Sequence, residues 1–178
     1  MMGLKEHYSN WLVRYFCPDF IVESIWDINL ELLKEKGYKA LILDLDNTLL
    51  GWRSQNFPPK VQEWLKKAET LAFKRQIVSN SFPRRVRRLS AILGIPFISQ
   101  GIKPRKKAFA AALKALEAKP EETVVVGDQL FTDVLGGKRM NLFTILVSPI
   151  DKNEFFTTRI LRIPEKMLLN YFKKCGFF

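Results

Sequence analysis

A short apolar run near residue 40 of this chain ends in two closely spaced carboxylates. Residues 39–48 read KALILDLDNT. An apolar run of this length predicts a buried strand of a parallel sheet. Asp44 and Asp46 then converge at the carboxyl edge of the strand, where ligands of open α/β sheets bind. Because two carboxylates at one buried edge repel each other, we expect a metal ion there, with phosphate chemistry as its purpose.

Similar apolar runs recur along the chain and alternate with helical patterns. The predicted strands cover residues 40–45, 76–79, 96–99, 123–126 and 143–147. The predicted helices cover residues 58–72, 84–93, 104–118 and 131–140. Strands that alternate with helices indicate an α/β fold, with a three-layer, Rossmann-like parallel sheet and right-handed crossovers.

The length of 178 residues predicts a single domain, residues 1–178, with room for a full core. The strand and helix pattern limits that core to about residues 39–150, preceded by an apolar flank at 1–38. Residues 153–178 form an amphipathic basic tail, which Pro164 should break or kink. Two interpretations of the tail stay open: it lies in a membrane interface, or it packs onto the sheet.

The composition limits the partners and the compartment. The net charge of +11 predicts a polyanionic partner, although Lys and Arg that only keep the surface soluble would give the same total. Cys17 and Cys175 make no disulfide framework, so we expect a reducing, cytoplasmic setting. No apolar stretch approaches the roughly 20 residues that span a bilayer, and residues 1–10 are too polar for a secretory signal. We therefore expect a protein that is soluble or peripheral on the inner face of the membrane.

Several kinds of chemistry are disfavoured by what the sequence lacks. His7 is the sole histidine and lies outside the predicted sheet, which argues against phosphohistidine chemistry, a Ser-His-Asp triad and most zinc sites. Neither cysteine begins a Cys-x₅-Arg phosphate loop, and no Gly-x₄-Gly-Lys-Ser/Thr loop is present.

Polar segments follow the ends of the predicted strands, where α/β sites are built. They are residues 44–48 (DLDNT), 79–81 (SNS), 103–104 (KP) and 127–133 (GDQLFTD). Together they supply a nucleophile, a hydroxyl, a cation and a second acidic pair. That set of groups is sufficient for metal-assisted phosphoryl transfer.

These segments resemble the four motifs of the haloacid dehalogenase superfamily of phosphohydrolases, in the same order and at suitable spacing. The resemblance covers about residues 39–150. Further stretches resemble the YqeG-type, class IIIA phosphatases, which are similar to mitochondrial and plastid phosphatidylglycerophosphate phosphatases. These stretches are residues 18–20, 24–28, 36–49 and 127–137.

The resemblance implies catalytic roles for three side chains. Asp44 would attack phosphorus and form an aspartyl-phosphate, which splits one difficult displacement into two easier ones. Asp46 would protonate the leaving oxygen and then activate the water. Lys103 would neutralise charge on the phosphoryl group and on Asp44.

The resemblance also implies the groups that bind substrate and metal. Thr48 would support the loop at the substrate, and Ser79 would hydrogen-bond a phosphoryl oxygen with Asn80 beside it. Arg84 begins a basic cluster after the second motif and is expected to bind the anionic substrate. The implied cofactor is Mg²⁺, because hard oxygen ligands suit it. Its implied ligands are Asp44, the backbone carbonyl of Asp46, Asp128 and Asp133.

The short segments between the motifs leave no room for a large cap domain. Without a cap the site is open. An open site suits a large substrate, because such a substrate itself helps to exclude water.

The resemblance implies hydrolysis of phosphatidylglycerophosphate to phosphatidylglycerol, and the basic clusters agree with an anionic phospholipid and a membrane surface. Two alternatives stay open: a soluble phosphatase of small phosphate esters, and a basic nucleic-acid-binding protein, which the lack of stacking platforms disfavours. The oligomeric state is not predicted.

Overall fold

A six-stranded parallel sheet forms the centre of the computed structural model, which describes residues 11–99, 102–151 and 156–178, with the backbone alone for 156–160. The strands are β1 (Phe20–Val22), β2 (Ala40–Leu43), β3 (Lys74–Val78), β4 (Phe97–Ile98), β5 (Thr123–Gly127) and β6 (Phe143–Val147). The sheet order is β1-β6-β5-β2-β3-β4. The helices are α1 (Trp11–Phe16), α2 (Leu30–Glu35), α3 (Pro59–Thr70), α4 (Pro83–Leu93), α5 (Lys106–Leu116), α6 (Leu135–Lys138) and α7 (Phe156–Lys174).

The two central strands explain the layered architecture. Every residue of β2 and β5 is buried, as expected for strands that are covered on both faces. Successive side chains point to opposite faces, so Leu41 and Leu43 enter one apolar core while Ala40 and Ile42 enter the other. The first core includes residues from α3 and α4, and the second includes residues from α5. The predicted α/β class with a three-layer parallel sheet is confirmed.

The register of the central strands brings the predicted motifs to one edge. Leu43 is paired with Ile77 of β3 on one side and with Val126 of β5 on the other. The residues that follow these strands therefore lie level with one another at the carboxyl edge of the sheet. Asp44, Ser79 and Asp128 come from these three positions.

The N-terminal flank contributes to the sheet, which has six strands where the sequence predicted five. β1 pairs in parallel with β6 at the sheet edge. Asp19 holds this edge by accepting hydrogen bonds from the backbone and side chain of Thr144 and by pairing with Lys138. Ile25, Leu30 and Leu33 of the same flank are buried in the first core.

The C-terminal tail folds back as one long helix. α7 contains Pro164 without ending there. Phe172 is fully buried, and Leu168 and Leu169 pack against a small cluster beside the sheet. The outer face of α7 leaves large apolar side chains exposed at a spacing of four residues, namely Ile163, Met167 and Tyr171. Among the described residues, no helix combines the length and the hydropathy that crossing a membrane requires.

Candidate active site

A buried lysine between two carboxylates forms the centre of the site. Lys103 Nζ contacts Asp44 Oδ1 and lies 2.6 Å from Asp133 Oδ1. The three residues are almost fully buried, with exposed fractions of 7% for Asp44, 5% for Lys103 and 2% for Asp133. Charged hydrogen bonds of this kind are strong because little water competes for them.

A third carboxylate completes an acidic cluster that fits a divalent cation. Carboxylate oxygens of Asp44, Asp128 and Asp133 lie within 4.8 Å of one another. Thr48 Oγ1 lies between two of them, 3.3 Å from Asp44 Oδ2 and 3.4 Å from Asp128 Oδ1. Three buried carboxylates offer the hard oxygen donors that Mg²⁺ prefers. The donor set therefore fits the metal that the sequence implied.

Local backbone geometry places Asp133 in this cluster. A π-helical turn, Leu130–Val134, follows β5, and such turns are frequent at functional sites. Asp133 Oδ2 accepts hydrogen bonds from the Gln129 backbone at 3.2 Å and from Thr132 Oγ1 at 3.3 Å. The backbone at Gly127 passes so close that a Cβ there would lie 2.2 Å from Asp133 Cγ.

Burial is the main influence on the protonation of these groups. It raises the pKa of Asp44 to about 6, although the charge of Lys103 opposes the shift. Burial, followed by the charge of Asp44, raises the pKa of Asp128 well above its usual range. Burial would lower the pKa of Lys103, but the charges of Asp133 and Asp44 outweigh it and raise that pKa. Lys103 is thus held as a cation, and the further positive charge of a divalent cation would favour the ionised forms of Asp44 and Asp128.

Asp46 lies at the rim of the cluster and has a separate partner. Its Oδ1 accepts hydrogen bonds from Arg85 Nη2 at 2.7 Å and from Arg85 Nε at 3.3 Å. Arg85 Nη1 also donates to the Ser54 carbonyl at 2.9 Å, which links the acid to the loop that follows β2. The side chain of Asp46 remains 20% exposed, so solvent reaches it.

The side chain of Asn80 joins the second motif to the backbone of the third. Asn80 Oδ1 accepts a hydrogen bond from the Lys103 backbone at 2.8 Å, and Asn80 Nδ2 donates to the Lys103 carbonyl at 3.2 Å. Asn80 therefore holds the segment that carries Lys103. Ser79 is buried at the same edge, and its Oγ accepts from the Ser81 backbone at 3.1 Å.

The basic cluster of α4 differs in detail from the expectation. The side chain of Arg84 is exposed on α4, so its contact with substrate stays a prediction, and the neighbouring Arg85 contacts Asp46. Adjacent residues on a helix point about 100° apart, so the two side chains leave α4 in different directions. The sequence shows the cluster but not which of its arginines turns inward.

Two functional candidates from α7 were not predicted at all. Arg162 donates from Nη2 to Asp128 Oδ2 and from Nη1 to the Asp128 backbone carbonyl. Glu165 pairs with Arg162 at 3.0 Å and accepts from the backbone amides of Leu130 and Phe131. Residues three apart are neighbours on a helix, so the sequence could have predicted that Arg162 and Glu165 pair with each other. Nothing in the sequence shows that the helix reaches the acidic cluster.

Two family models match separate parts of the chain. A model described as HAD-hydrolase-like matches residues 102–149. A model described as mitochondrial PGP phosphatase matches residues 11–88. The two matches contain all of the motif residues described above.

Individual relatives agree with these models. The chain is 45% identical over 165 residues to a Bacillus subtilis protein named probable phosphatase YqeG, covering 93% of this chain and 96% of that protein. It is 24% identical over 172 residues to phosphatidylglycerophosphate phosphatase 1 (chloroplastic/mitochondrial) of Arabidopsis thaliana, covering 90% of this chain but 49% of that protein.

A solved structure shows the same fold. The cobalt-bound deoxy-D-mannose-octulosonate 8-phosphate phosphatase YrbI from Haemophilus influenzae matches with a TM-score of 0.50 and 18% identity. The match covers 77% of this chain and 90% of that one. At this identity the likeness carries the fold alone.

Proposed function

Because this chain belongs to the YqeG-type phosphatases of the haloacid dehalogenase superfamily, which are phosphoric monoester hydrolases, we propose that Asp44 is its nucleophile. The observation that carries the proposal is the buried contact between Asp44 and Lys103 at the carboxyl edge of the sheet. Lys103 keeps positive charge beside a carboxylate that burial would otherwise protonate. Asp44 is therefore held in the ionised form that attack on phosphorus requires.

The reaction proceeds in two displacements. An oxygen of Asp44 attacks phosphorus, the bond from phosphorus to the ester oxygen breaks, and Asp46 gives that oxygen a proton. In the second displacement Asp46 takes a proton from water, the water oxygen attacks phosphorus, and the bond to Asp44 breaks to release inorganic phosphate. Solvent reaches the carboxylate of Asp46 at the rim of the site, so the water of the second displacement has access to it.

The remaining site residues bind the phosphoryl group. Lys103 neutralises its charge, and the hydroxyl of Ser79 donates a hydrogen bond to it, while Thr48 holds the loop. Asn80 acts by fixing the backbone of Lys103. Asp44, Asp128, Asp133 and the backbone carbonyl of Asp46 would hold Mg²⁺, which would supply positive charge that stabilises the transferring phosphoryl group.

We propose phosphatidylglycerophosphate as the substrate, with phosphatidylglycerol as the product. The match of residues 11–88 to the mitochondrial PGP phosphatase model and the likeness to the Arabidopsis enzyme support this choice. Exposed basic residues, including Arg84, Arg105 and Lys106, and the exposed apolar face of α7 agree with an anionic lipid surface. On this proposal the protein is peripheral on the membrane, and Arg84 contacts the lipid head group rather than the reacting phosphate.

The test compares phosphate release from phosphatidylglycerophosphate in mixed micelles with release from glycerol 3-phosphate, sugar phosphates and nucleotides, with Mg²⁺ present. We expect the lipid to be preferred. Equal or faster hydrolysis of the soluble esters would contradict the lipid proposal and favour a small-ester phosphatase. Steep salt-dependent RNA binding without any hydrolysis would instead favour a nucleic-acid protein.

Two isosteric variants test the mechanism on whichever ester is hydrolysed. Asp44→Asn should abolish turnover, because an amide is not a nucleophile, and Asp46→Asn should accumulate phosphate on Asp44. Glu69→Gln, at an exposed acid on α3, is the matched control. Trapped phosphoenzyme is detected by intact mass spectrometry. Normal turnover by the Asp44→Asn variant would show that Asp44 is not the nucleophile.

A further inference from the structure

Helix α7 reaches the acidic cluster through the guanidinium group of Arg162. Arg162 contacts Asp128 at two points, the carboxylate Oδ2 and the backbone carbonyl. A planar guanidinium that holds two acceptors of one residue fixes both the backbone and the side-chain torsion of that residue. Asp128 is 2% exposed, so no solvent contact competes for its orientation.

The guanidinium group occupies one oxygen of Asp128 and leaves the other directed at the site. Oδ2 accepts from Arg162, whereas Oδ1 lies 3.4 Å from Thr48 Oγ1. The same hydroxyl lies 3.3 Å from Asp44 Oδ2. Both oxygens thus lie near one hydroxyl, and carboxylate atoms of Asp128 and Asp44 lie within 4.8 Å of each other, close enough to be ligands of one cation.

A positive side chain so near a cation site would normally weaken binding of the cation by electrostatic repulsion. Here Glu165 lies 3.0 Å from Arg162 and is 3% exposed, so the pair adds no net charge to the cluster. Glu165 is itself anchored, since its Oε1 accepts from the Leu130 amide at 2.8 Å and from the Phe131 amide at 3.4 Å. These amides begin the π-helical turn that carries Asp133.

We infer that Arg162 and Glu165 form a positioning pair that orients Asp128 and the Asp133 turn for divalent-cation binding, so that the metal site depends on the docking of α7. This inference rests on the proposed function, because it concerns the same metal site. Neither residue touches the phosphoryl group. They hydrogen-bond to the residues that would bind the metal, or to the backbone beside them. Mutation of such supporting residues typically weakens metal binding about ten- to a hundred-fold.

The experiment measures binding of Mg²⁺ and Mn²⁺ by isothermal titration calorimetry, without any substrate. We expect Arg162→Met to weaken both affinities at least about ten-fold. Arg162→Lys should restore only part of the loss, because an ammonium cannot hold two acceptors in one plane. Lys166→Met, at an exposed position one turn further along α7, is the matched control and should bind metal as the wild type does.

A second variant separates orientation from charge. Glu165→Gln keeps the shape and the acceptor oxygen but leaves the charge of Arg162 uncompensated, so it should also weaken metal binding, and more strongly at low ionic strength. The thermal midpoint of each metal-free variant identifies unfolding, and Arg162→Lys provides the comparison if Arg162→Met does not fold.

Several outcomes would overturn the inference. Unchanged affinity in Arg162→Met would show that α7 does not orient the site, and tighter binding would show that Arg162 competes with the cation. Either result would leave the proposed phosphatase mechanism intact. Absence of divalent-cation binding in the wild type would overturn both the inference and the proposed metal site.

Discussion

Gly127 shows how much of the site depends on a single missing side chain. A Cβ at this position would lie 2.2 Å from Asp133 Cγ and 2.4 Å from its Oδ2, which is shorter than any non-bonded contact. The last residue of β5 is therefore required to be glycine by the carboxylate beside it. The backbone can approach Asp133 because nothing projects between them.

We predict that Gly127→Ala displaces Asp133 and lowers stability by about 1–3 kcal/mol, the usual range for overpacking a filled site. Phosphatase activity should fall with it, because Asp133 also holds Lys103. Chemical unfolding and phosphate release measure the two effects. Gly51→Ala is the control, since its nearest neighbour, Asp151 Cβ, is 3.4 Å away, an ordinary contact. Equal effects at the two glycines would contradict this explanation.

The two cysteines should differ sharply in reactivity. Burial raises the pKa of the Cys17 thiol to about 11, so at pH 8 roughly one molecule in a thousand carries the thiolate. We predict that a disulfide reagent at pH 8 modifies Cys175, which is only partly buried, and leaves Cys17 intact until denaturant is added. Thiol counting in the native and unfolded states checks this. Rapid release of both thiols from the native protein would show that the packing around Cys17 opens readily.

At the scale of elements, α4 connects two parts of the site. Its Arg85 binds Asp46 and also the Ser54 carbonyl, so the helix holds the proposed acid and the loop after β2 together. The N-terminus of α4 follows directly from the second motif. Contacts of this kind set the position of the acid relative to Asp44.

We predict that Arg85→Gln lowers kcat on a soluble ester about ten-fold, because a misplaced acid transfers protons poorly. Stability should change by less than about 1 kcal/mol, the usual value of a partly exposed ion pair. Steady-state kinetics and chemical unfolding separate the two. Lys66→Gln, on the exposed face of α3, is the control. An unchanged kcat would show that Asp46 keeps its position without this arginine.

At the scale of the whole molecule, the positive net charge and the exposed apolar surface of α7 are both features that would favour contact with an anionic lipid surface. The net charge is +11, and the outer face of α7 exposes Ile163 at 65% and Met167 at 69%. Surfaces that combine basic and apolar groups suit anionic lipid. The inner face of the same helix carries Arg162 and Glu165, so one helix would serve both the lipid surface and the acidic cluster.

We predict that the protein sediments with vesicles that contain phosphatidylglycerol and stays in solution with neutral vesicles. Binding should fall steeply as salt rises, since basic residues near an anionic surface contribute about 1 kcal/mol each at moderate ionic strength. The double variant Ile163→Ser/Met167→Ser should bind less at every salt concentration. Equal binding to neutral vesicles, or no effect of the double variant, would contradict a role for this face.

The sequence alone determined the family, the fold class and the carboxyl-edge segments, because these follow from local patterns. An apolar run such as 40–43 predicts a central parallel strand whatever surrounds it, and the residues after each strand must then meet at one edge. The short strand β1 could not be predicted, because its three residues are mostly exposed and gain their place only by pairing with β6.

The packing of distant segments determines which side chains complete the site. The sequence predicted Asp44, Lys103, Asp128 and Asp133, which the fold brings together, but it could not distinguish Arg84 from Arg85 within one basic cluster. It also gave no sign that Arg162 reaches Asp128, thirty-four positions earlier in the chain. Local patterns determine which strands and helices form, whereas contacts between distant segments depend on how those elements pack, and packing is a property of the whole chain.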